Sequence, residues 1–226
     1  MAVTINPRPD STVTAEQLEQ LRRIPPATIG HMLDFGFMTG DLRPIGRKQG
    51  FTLCGPAVTV RTTALDSGVV HHAIDVAEPG DVLVIDRNGD QKHACWGELT
   101  SLAAKLRGLA GTIVDGPATD IPEIWEMEYL TFCRGVAPIT SRSTGASGEI
   151  NTTIQCGGVA VSPGDIILAD DNGIMVIPPD RVQEVIERCG PRVEYEAEIR
   201  RRLLAGEKLG EITGASERVL SNLERR

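Results

Sequence analysis

Glu78-Pro79-Gly80-Asp81-Val82-Leu83-Val84-Ile85-Asp86 is the stretch that decides the fold. Pro79 presets φ at the first central position of a turn, and Gly80 accepts the positive φ that a type II turn needs next. The apolar run that follows has the length and β-branching of a buried strand, and it ends on an acidic residue. The unit recurs, with Ser162-Pro163-Gly164-Asp165 leading into Ile166-Ile167-Leu168-Ala169-Asp170. Two instances do not make a solenoid. They read as two similar strands on different parts of one sheet system. After the first strand comes a polar loop, Arg87-Asn88-Gly89-Asp90, then a helix from about Trp96 to Arg107 that Gly108 ends. Leu99, Leu102, Ala103 and Leu106 give this helix an apolar face. Thr112-Ile113-Val114-Asp115 follows as a strand, Gly116-Pro117-Ala118-Thr119 as a turn, and a further helix begins near Asp120. Consecutive βα units imply parallel strands with right-handed crossovers.

Outward from this centre the elements are shorter. Thr14-Ala15-Glu16-Gln17 reads as a capping box before Leu18, Leu21 and Ile24 at helical spacing, and Pro25-Pro26 stops that helix. A second short helix is expected from Thr28 to Asp34. Phe51 to Thr63 is β-like, with an interruption at Gly55-Pro56. His71-His72 lie in an apolar helix, Val69 to Ala77, and one of them is expected to face the core or an interface. Asp171-Asn172-Gly173 is a hairpin signal between two apolar runs. From Asp180 to about Leu204 a long charged helix is expected, with a break at Gly190-Pro191.

Composition bounds the function. The chain has 226 residues, 23 Lys plus Arg against 31 Asp plus Glu, and a net charge of −8. That acidic balance argues against a phosphate-neutralising nucleic-acid surface, and 4% aromatic residues argue against a base-stacking platform. No apolar run is long enough to span a membrane, and the N-terminus lacks the pattern of a signal peptide. A single domain in the cytoplasm is expected. The five cysteines are widely spaced and form no C-x-x-C, so reduced, buried thiols are expected rather than zinc or disulfides.

The candidate site lies where the two βα units end. Ligands in open parallel sheets bind beyond the carboxyl ends of strands, where helix N-termini present unpaired N–H groups to anions. Trp96-Gly97-Glu98-Leu99 offers such amides, and Gly97 lets a ligand approach the backbone. Asp120 opens the next helix, so Glu98 and Asp120 would place two carboxylates beside one amide-lined pocket. Carboxylates with waters suit Mg²⁺. The plainer reading of Asp120 is an N-cap, and of Glu98 a partner of the helix dipole.

The residues resemble the family of 4-hydroxy-4-methyl-2-oxoglutarate aldolases and the regulator of ribonuclease E activity A. The resemblance rests on Gly80 to Asp86, Ala94-Cys95-Trp96-Gly97-Glu98-Leu99, Asp115-Gly116-x-x-x-Asp120, Gly148-Glu149-Ile150-Asn151, Cys156-Gly157-Gly158-Val159 and Asp170-Asp171-Asn172-Gly173, in that order. It covers roughly residues 25 to 205. It implies an α/β fold, a three-layer β/β/α swivelling-type domain with helical arms at both ends. It also implies a homotrimer or hexamer with active sites at subunit interfaces. The implied substrate is a small carboxylate, with its pyruvyl carboxylate on the amides of Gly97, Glu98, Leu99 and Thr100. The implied cofactor is Mg²⁺ or Mn²⁺ held by Asp120, with its waters held by Glu98. Glu196, on the C-terminal helix of a neighbouring subunit, would assist. The implied chemistry is retro-aldol release of pyruvate, often with decarboxylation of oxaloacetate, the metal acting as a Lewis acid toward the 2-oxo oxygen.

Two departures bear on the substrate. The family's motif is Asp-Gly-x-x-Arg-Asp, with the Arg beside the 2-oxo oxygen, and here that position is Thr119. A hydroxyl supplies no fixed cation. The early helix usually carries Ser-Asp-Ala-Leu, where this chain has Gly30-His31-Met32-Leu33. Arg87, Arg134 and Arg142 are candidate substitutes for the missing cation, although loop or surface roles are the plainer reading. His31 could line the pocket, and His93 could assist proton transfer. A different metal-dependent lyase or hydratase on the same scaffold, or a non-catalytic protein-binding regulator, are the alternatives.

Overall fold

In the computed structural model, which describes residues 3–45 and 50–223, the strand after Pro79-Gly80 is the centre of the molecule. The strands are β1 (Val3–Ile5), β2 (Arg43–Ile45), β3 (Leu53–Arg61), β4 (Val82–Asp86), β5 (Gly111–Ala118), β6 (Thr131–Val136), β7 (Gly148–Ile150), β8 (Ile154–Cys156), β9 (Val159–Val161), β10 (Ile166–Asp170) and β11 (Gly173–Ile177). The helices are α1 (Ala15–Arg22), α2 (Pro26–Gly30), α3 (Gly68–Val76), α4 (Glu98–Arg107), α5 (Ile121–Glu126), α6 (Val182–Leu204), α7 (Leu209–Ile212) and α8 (Ala215–Leu223). The main sheet runs β1-β7-β3-β4-β5-β6-β2. Its inner four strands, β3 to β6, are parallel, as the two βα units require.

Strand β3 belongs to two sheets. Its first residues pair antiparallel with β10, and from Ala57 onward it pairs parallel with β4. The Gly55-Pro56 interruption marks this change of partner. A side chain at Gly55 would meet the Gly80 carbonyl at 2.1 Å, so the crossing requires glycine. The Asp171-Asn172 loop closes the β10–β11 hairpin.

Strict alternation distributes the strands' side chains among three cores. Leu83 and Ile85 of β4 face α3 and α4, together with Val70, Ile74, Trp96 and Ala104. Val82 and Val84 face the other way, into a core shared with Ile167, Ala169, Ile174 and Val176 of the hairpin. The hairpin's outer face, Ile166, Leu168, Met175 and Ile177, packs on Leu21, Ile29, Val182 and Val185 of α1, α2 and α6. The layers are therefore helix, sheet, hairpin and helix.

Local signals explain most of the helix ends. The Thr14 capping box is formed, both bonds present. Pro25-Pro26 separates α1 from α2, and Pro26 takes the first turn of α2, where its missing N–H costs nothing. Helix α2 ends at Gly30, short of the expected Asp34. The expected break at Gly190-Pro191 is absent: α6 runs unbroken through Pro191. Gly190 has no Cβ to clash with the proline ring, and the freed carbonyl is on an exposed stretch. All five cysteines are free and buried. Among the described residues no helix is long and apolar enough to cross a membrane.

Helix α4 departs most from its expected packing. Ser101 and Ala104 are its buried residues, while Leu99 and Leu106 are 76% and 80% exposed and Leu102 is also exposed. Small residues let this helix lie close on the sheet, so its leucine face points away from the core.

Candidate active site

The ends of β4 and β5 and the start of α3 enclose a cleft of about 460 Å³. One wall is the loop from Ala94 into α4, joined by Thr119 and Asp120 beyond β5. The sequence-predicted residues Gly97, Glu98, Leu99, Thr100, Thr119 and Asp120 all line it. Glu196 does not. It lies on α6, accepts from Thr28 Oγ1 at 2.9 Å, and pairs with Arg192 at 3.0 Å.

Asp120 is the structural pivot. It has positive φ, 54°, a conformation Asp tolerates better than most residues. Its side chain makes no capping bond to its own helix α5. Instead Asp120 Oδ2 accepts the Glu98 N–H at 3.0 Å, and Oδ1 accepts the Thr119 hydroxyl at 3.2 Å. The carboxylate thus sits at the N-terminus of the neighbouring helix, α4, where the helix dipole favours negative charge. This approach depends on Gly97: a Cβ there would lie 2.4 Å from Asp120 Oδ2 and 2.8 Å from Thr119 Cγ2.

The expectation of four free amides is narrowed by the geometry. The Gly97 N–H donates to Thr100 Oγ1 at 2.9 Å, and the Glu98 N–H is taken by Asp120. Leu99 and Thr100 keep N–H groups without an acceptor among the described residues. These two are the amides left for an anion. The Glu98 side chain is exposed beside them.

The three candidate arginines stand elsewhere. Arg87 is fully buried, donates to the carbonyls of Thr63, Ala64 and His93, and pairs with Asp90 at 3.1 Å. It ties the β4–α4 loop to the end of β3. Arg134 pairs with Asp115 and, at 3.5 Å, with Asp41. Arg142 is exposed between Ser141 and Ser143 but does not line the cleft. No arginine or lysine is among the described lining residues. His93 is held by Asp90 at 3.2 Å, and neither it nor the exposed His31 reaches the cleft.

The opposite wall was not legible as part of the site. It is made by Ser67, His71 and Asp75 of the α3 region and by Thr140, Ser141 and Ser143. Of the expectation that one of His71 and His72 faces the core or an interface, the core half is corrected: both are exposed in the single chain, and His71 lines the cleft within 3.4 Å of Ser143 Oγ. The available signal was spacing, since His71 and Asp75 at i and i+4 share a helix face. This wall is anchored by Asp66, a buried carboxylate. Burial pushes its pKa up, but N–H donors from Gly68, Thr144, Ala146 and Gly145 outweigh that and hold it well below the usual carboxylate range. Cys95 also lines the cleft, and burial pushes its thiol up to about 11. Burial thus keeps it a thiol rather than a thiolate nucleophile.

Comparisons with known proteins agree with this architecture. Residues 25–176 match the family model RraA-like, described as Aldolase/RraA. A Halalkalibacterium halodurans protein provisionally named 4-hydroxy-4-methyl-2-oxoglutarate aldolase is 37% identical over 173 residues, 76% of this chain and 81% of that protein. The crystal structure of Streptomyces coelicolor RraAS2, described as an unusual member of the RNase ES inhibitor RraA protein family, superposes with a TM-score of 0.72 at 26% identity, covering 86% of this chain and 98% of that one. An uncharacterized Pseudomonas syringae protein shares the fold at 21% identity, with a TM-score of 0.77 over 93% of this chain and 98% of that one. With its family model matched over two-thirds of its length and its βα-loop cleft in place, the chain belongs to the RraA-like, Aldolase/RraA family.

Proposed function

We propose that this protein is a divalent-metal-dependent carbon–carbon lyase that releases pyruvate from a small 2-oxo acid. The observation that carries the reading is the Asp120 carboxylate, set by Gly97 against the N-terminus of α4 with Glu98 beside it. Among the described residues no three His, Cys, Asp or Glu side chains converge as a metal centre. The donor set fits a hard cation that keeps most of its waters, Mg²⁺ or Mn²⁺, and takes one or two protein carboxylates. Asp120 would hold the ion and Glu98 would hold its waters. Such an ion supplies Lewis-acid polarisation of the 2-oxo group. The chain's own contributions are distinct. The Leu99 and Thr100 N–H groups bind the substrate carboxylate. Thr119, where the family has Arg, spends its hydroxyl on orienting Asp120. The names of the similar proteins, provisionally 4-hydroxy-4-methyl-2-oxoglutarate aldolases, support a lyase that acts on a 2-oxo acid.

The same reading includes assembly. Leu99 and Ala103 line the cleft and belong to the exposed leucine face of α4. A second copy packed on that face would close the cleft and could deliver Glu196 from its own α6, giving a homotrimer or hexamer. The likeness to RraAS2 favours one other reading, a regulator that binds a protein partner without catalysis. The experiment that decides is pyruvate release from 4-hydroxy-2-oxo acids and oxaloacetate, with Mg²⁺ and with EDTA, for wild type and Asp120→Ala. Metal-dependent release lost in the variant supports the lyase. No release from any substrate in either condition sinks it.

A further inference from the structure

The geometry points to a substrate whose tail beyond C4 is hydroxylated and uncharged, rather than a second carboxylate. The inference rests on the lyase reading and names the substrate class of the same cleft. With the carboxylate end of a 2-oxo acid on the Leu99 and Thr100 amides, the tail has to lie along the opposite wall. That wall carries His71 and Asp75, one helical turn apart on α3, with Ser67, Thr140, Ser141 and Ser143 facing them. Each hydroxyl has a donor and two acceptor lone pairs, so those already bonded within the wall keep capacity for a ligand. Ser141 Oγ donates to Ser67 Oγ at 2.8 Å, and Ser143 Oγ lies 3.3 Å from the His71 ring. Asp75 adds an acceptor with no bonded partner among the described residues, and His71 a donor or acceptor. This mixture matches vicinal hydroxyls.

A carboxylate tail meets the opposite conditions. With the ion on Asp120 and Glu98 serving the pyruvyl half, Asp75 remains an unpaired carboxylate on the tail wall among the described residues, and the described lining holds no Arg or Lys. Arg87 is consumed by three carbonyls and Asp90, and Arg134 by Asp115 and Asp41. Thr119 replaces the residue type that would have brought a fixed cation. A like charge set beside an unneutralised carboxylate is a device of rejection. The volume of about 460 Å³ leaves room beyond the pyruvyl half for such a tail.

The step balances without a further reactant. In R–CH(OH)–CH₂–CO–COO⁻ the C3–C4 bond breaks and leaves its electron pair on C3. The C4 hydroxyl gives up its proton and becomes the carbonyl of the aldehyde R–CHO, and C3 takes up one proton, giving pyruvate.

Three 4-hydroxy-2-oxo acids separate the possibilities: a 2-oxo-3-deoxyhexonate with hydroxyls on C5 and C6, 4-hydroxy-2-oxopentanoate with a methyl tail, and 4-hydroxy-4-methyl-2-oxoglutarate with a carboxylate tail. With Mg²⁺, kcat/KM for the hydroxylated acid should exceed that for the dicarboxylate by about tenfold or more. His71→Ala and Ser143→Ala should each erode that ratio by about fivefold, with a smaller loss on the methyl-tailed acid. Equal or faster turnover of the dicarboxylate overturns the inference and leaves the lyase standing. If no acid is cleaved, calorimetry of the same acids with Mg²⁺ separates the two claims. Tighter binding of the hydroxylated acid keeps the substrate class while the lyase falls. Equal binding overturns both.

Discussion

Gly97→Ala adds one methyl group and should disable the site while sparing the fold. The backbone there is extended, with φ −161°, so alanine fits the conformation. The objection is contact: the new Cβ would stand 2.4 Å from Asp120 Oδ2, where ordinary contact begins at 3.4 Å. The carboxylate must therefore retreat by about 1 Å, and a misplacement of that size can cost on the order of 10²-fold in rate. The retreat breaks the 3.0 Å bond from the Glu98 N–H. Hydrogen bonds to charged groups are worth about 1.5–3 kcal/mol when retained, but Asp120 is exposed and water recovers most of that. The net stability cost should be about 1 kcal/mol, a fall in Tm of roughly 2–4 °C for a chain of this size. Three measurements check it: kcat/KM for pyruvate release, Mn²⁺ affinity by titration, and thermal unfolding. Activity and Mn²⁺ affinity both within about threefold of wild type would refute the claim that Gly97 positions Asp120 for function. A collapse of the fold would refute the claim that the contact is local.

Asp66→Asn tests the opposite wall: it replaces one accepting oxygen with a donor facing backbone N–H groups, and should cost ~3 kcal/mol, read as a lower denaturation midpoint. Because the folded-state pKa of Asp66 is depressed, its contribution is present above the unfolded value of about 4 and is lost as pH falls toward the folded one, so wild-type stability should drop there more steeply than the variant's. An unchanged acid limb in the variant would contradict this. Thr119→Arg should raise pyruvate release from oxaloacetate by roughly 10²-fold if the absent cation alone limits that substrate. Release that stays at background shows that the whole pocket has changed. Leu106→Glu should shift the protein toward monomer in sedimentation while changing monomer stability by less than about 0.5 kcal/mol, since Leu106 is already exposed. A wild-type protein that sediments as a monomer refutes the assembly reading.

The fold was largely legible because its decisive elements are each decided locally. Val82 to Asp86 is a strand by its own composition, and the turn before it is a turn by Pro79 and Gly80. The Asp171-Asn172-Gly173 signal sufficed for the hairpin. Helix faces were less legible. Leu99, Leu102 and Leu106 at helical spacing say only that an apolar face exists, and periodicity has no sign that tells a core from an interface. The buried face of α4 is carried by Ser101 and Ala104, whose small size sets how closely the helix can lie on the sheet. Pro191 is a similar case: the cost of a proline inside a helix depends on its neighbours, and Gly190 removes the clash.

The candidate site shows where local reasoning stops. An Asp at the start of a helix is most simply an N-cap, and a Glu in a first turn a dipole partner. The Glu98 reading stands, since Glu98 is in the first turn of α4; the Asp120 reading is correct in kind and wrong in address. Asp120 does cap a helix, but it caps α4, twenty-two residues back in the chain, and leaves its own helix α5 without a side-chain cap. No scan along one element finds that bond, because it exists only once β4 and β5 lie side by side and bring their following loops together. The same juxtaposition gives Gly97 its purpose, since the residue excluded there is excluded by a carboxylate from the next loop. The place of His71 and Asp75 in the cleft is likewise not local: they face it from a helix that precedes the two βα units. What the chain can encode locally is the chemistry of each wall. The choice between a capping carboxylate and a metal-holding one turns on the lone pairs that capping leaves free, and on Asp120, which lines the cleft, each oxygen accepts only one hydrogen bond among the described residues.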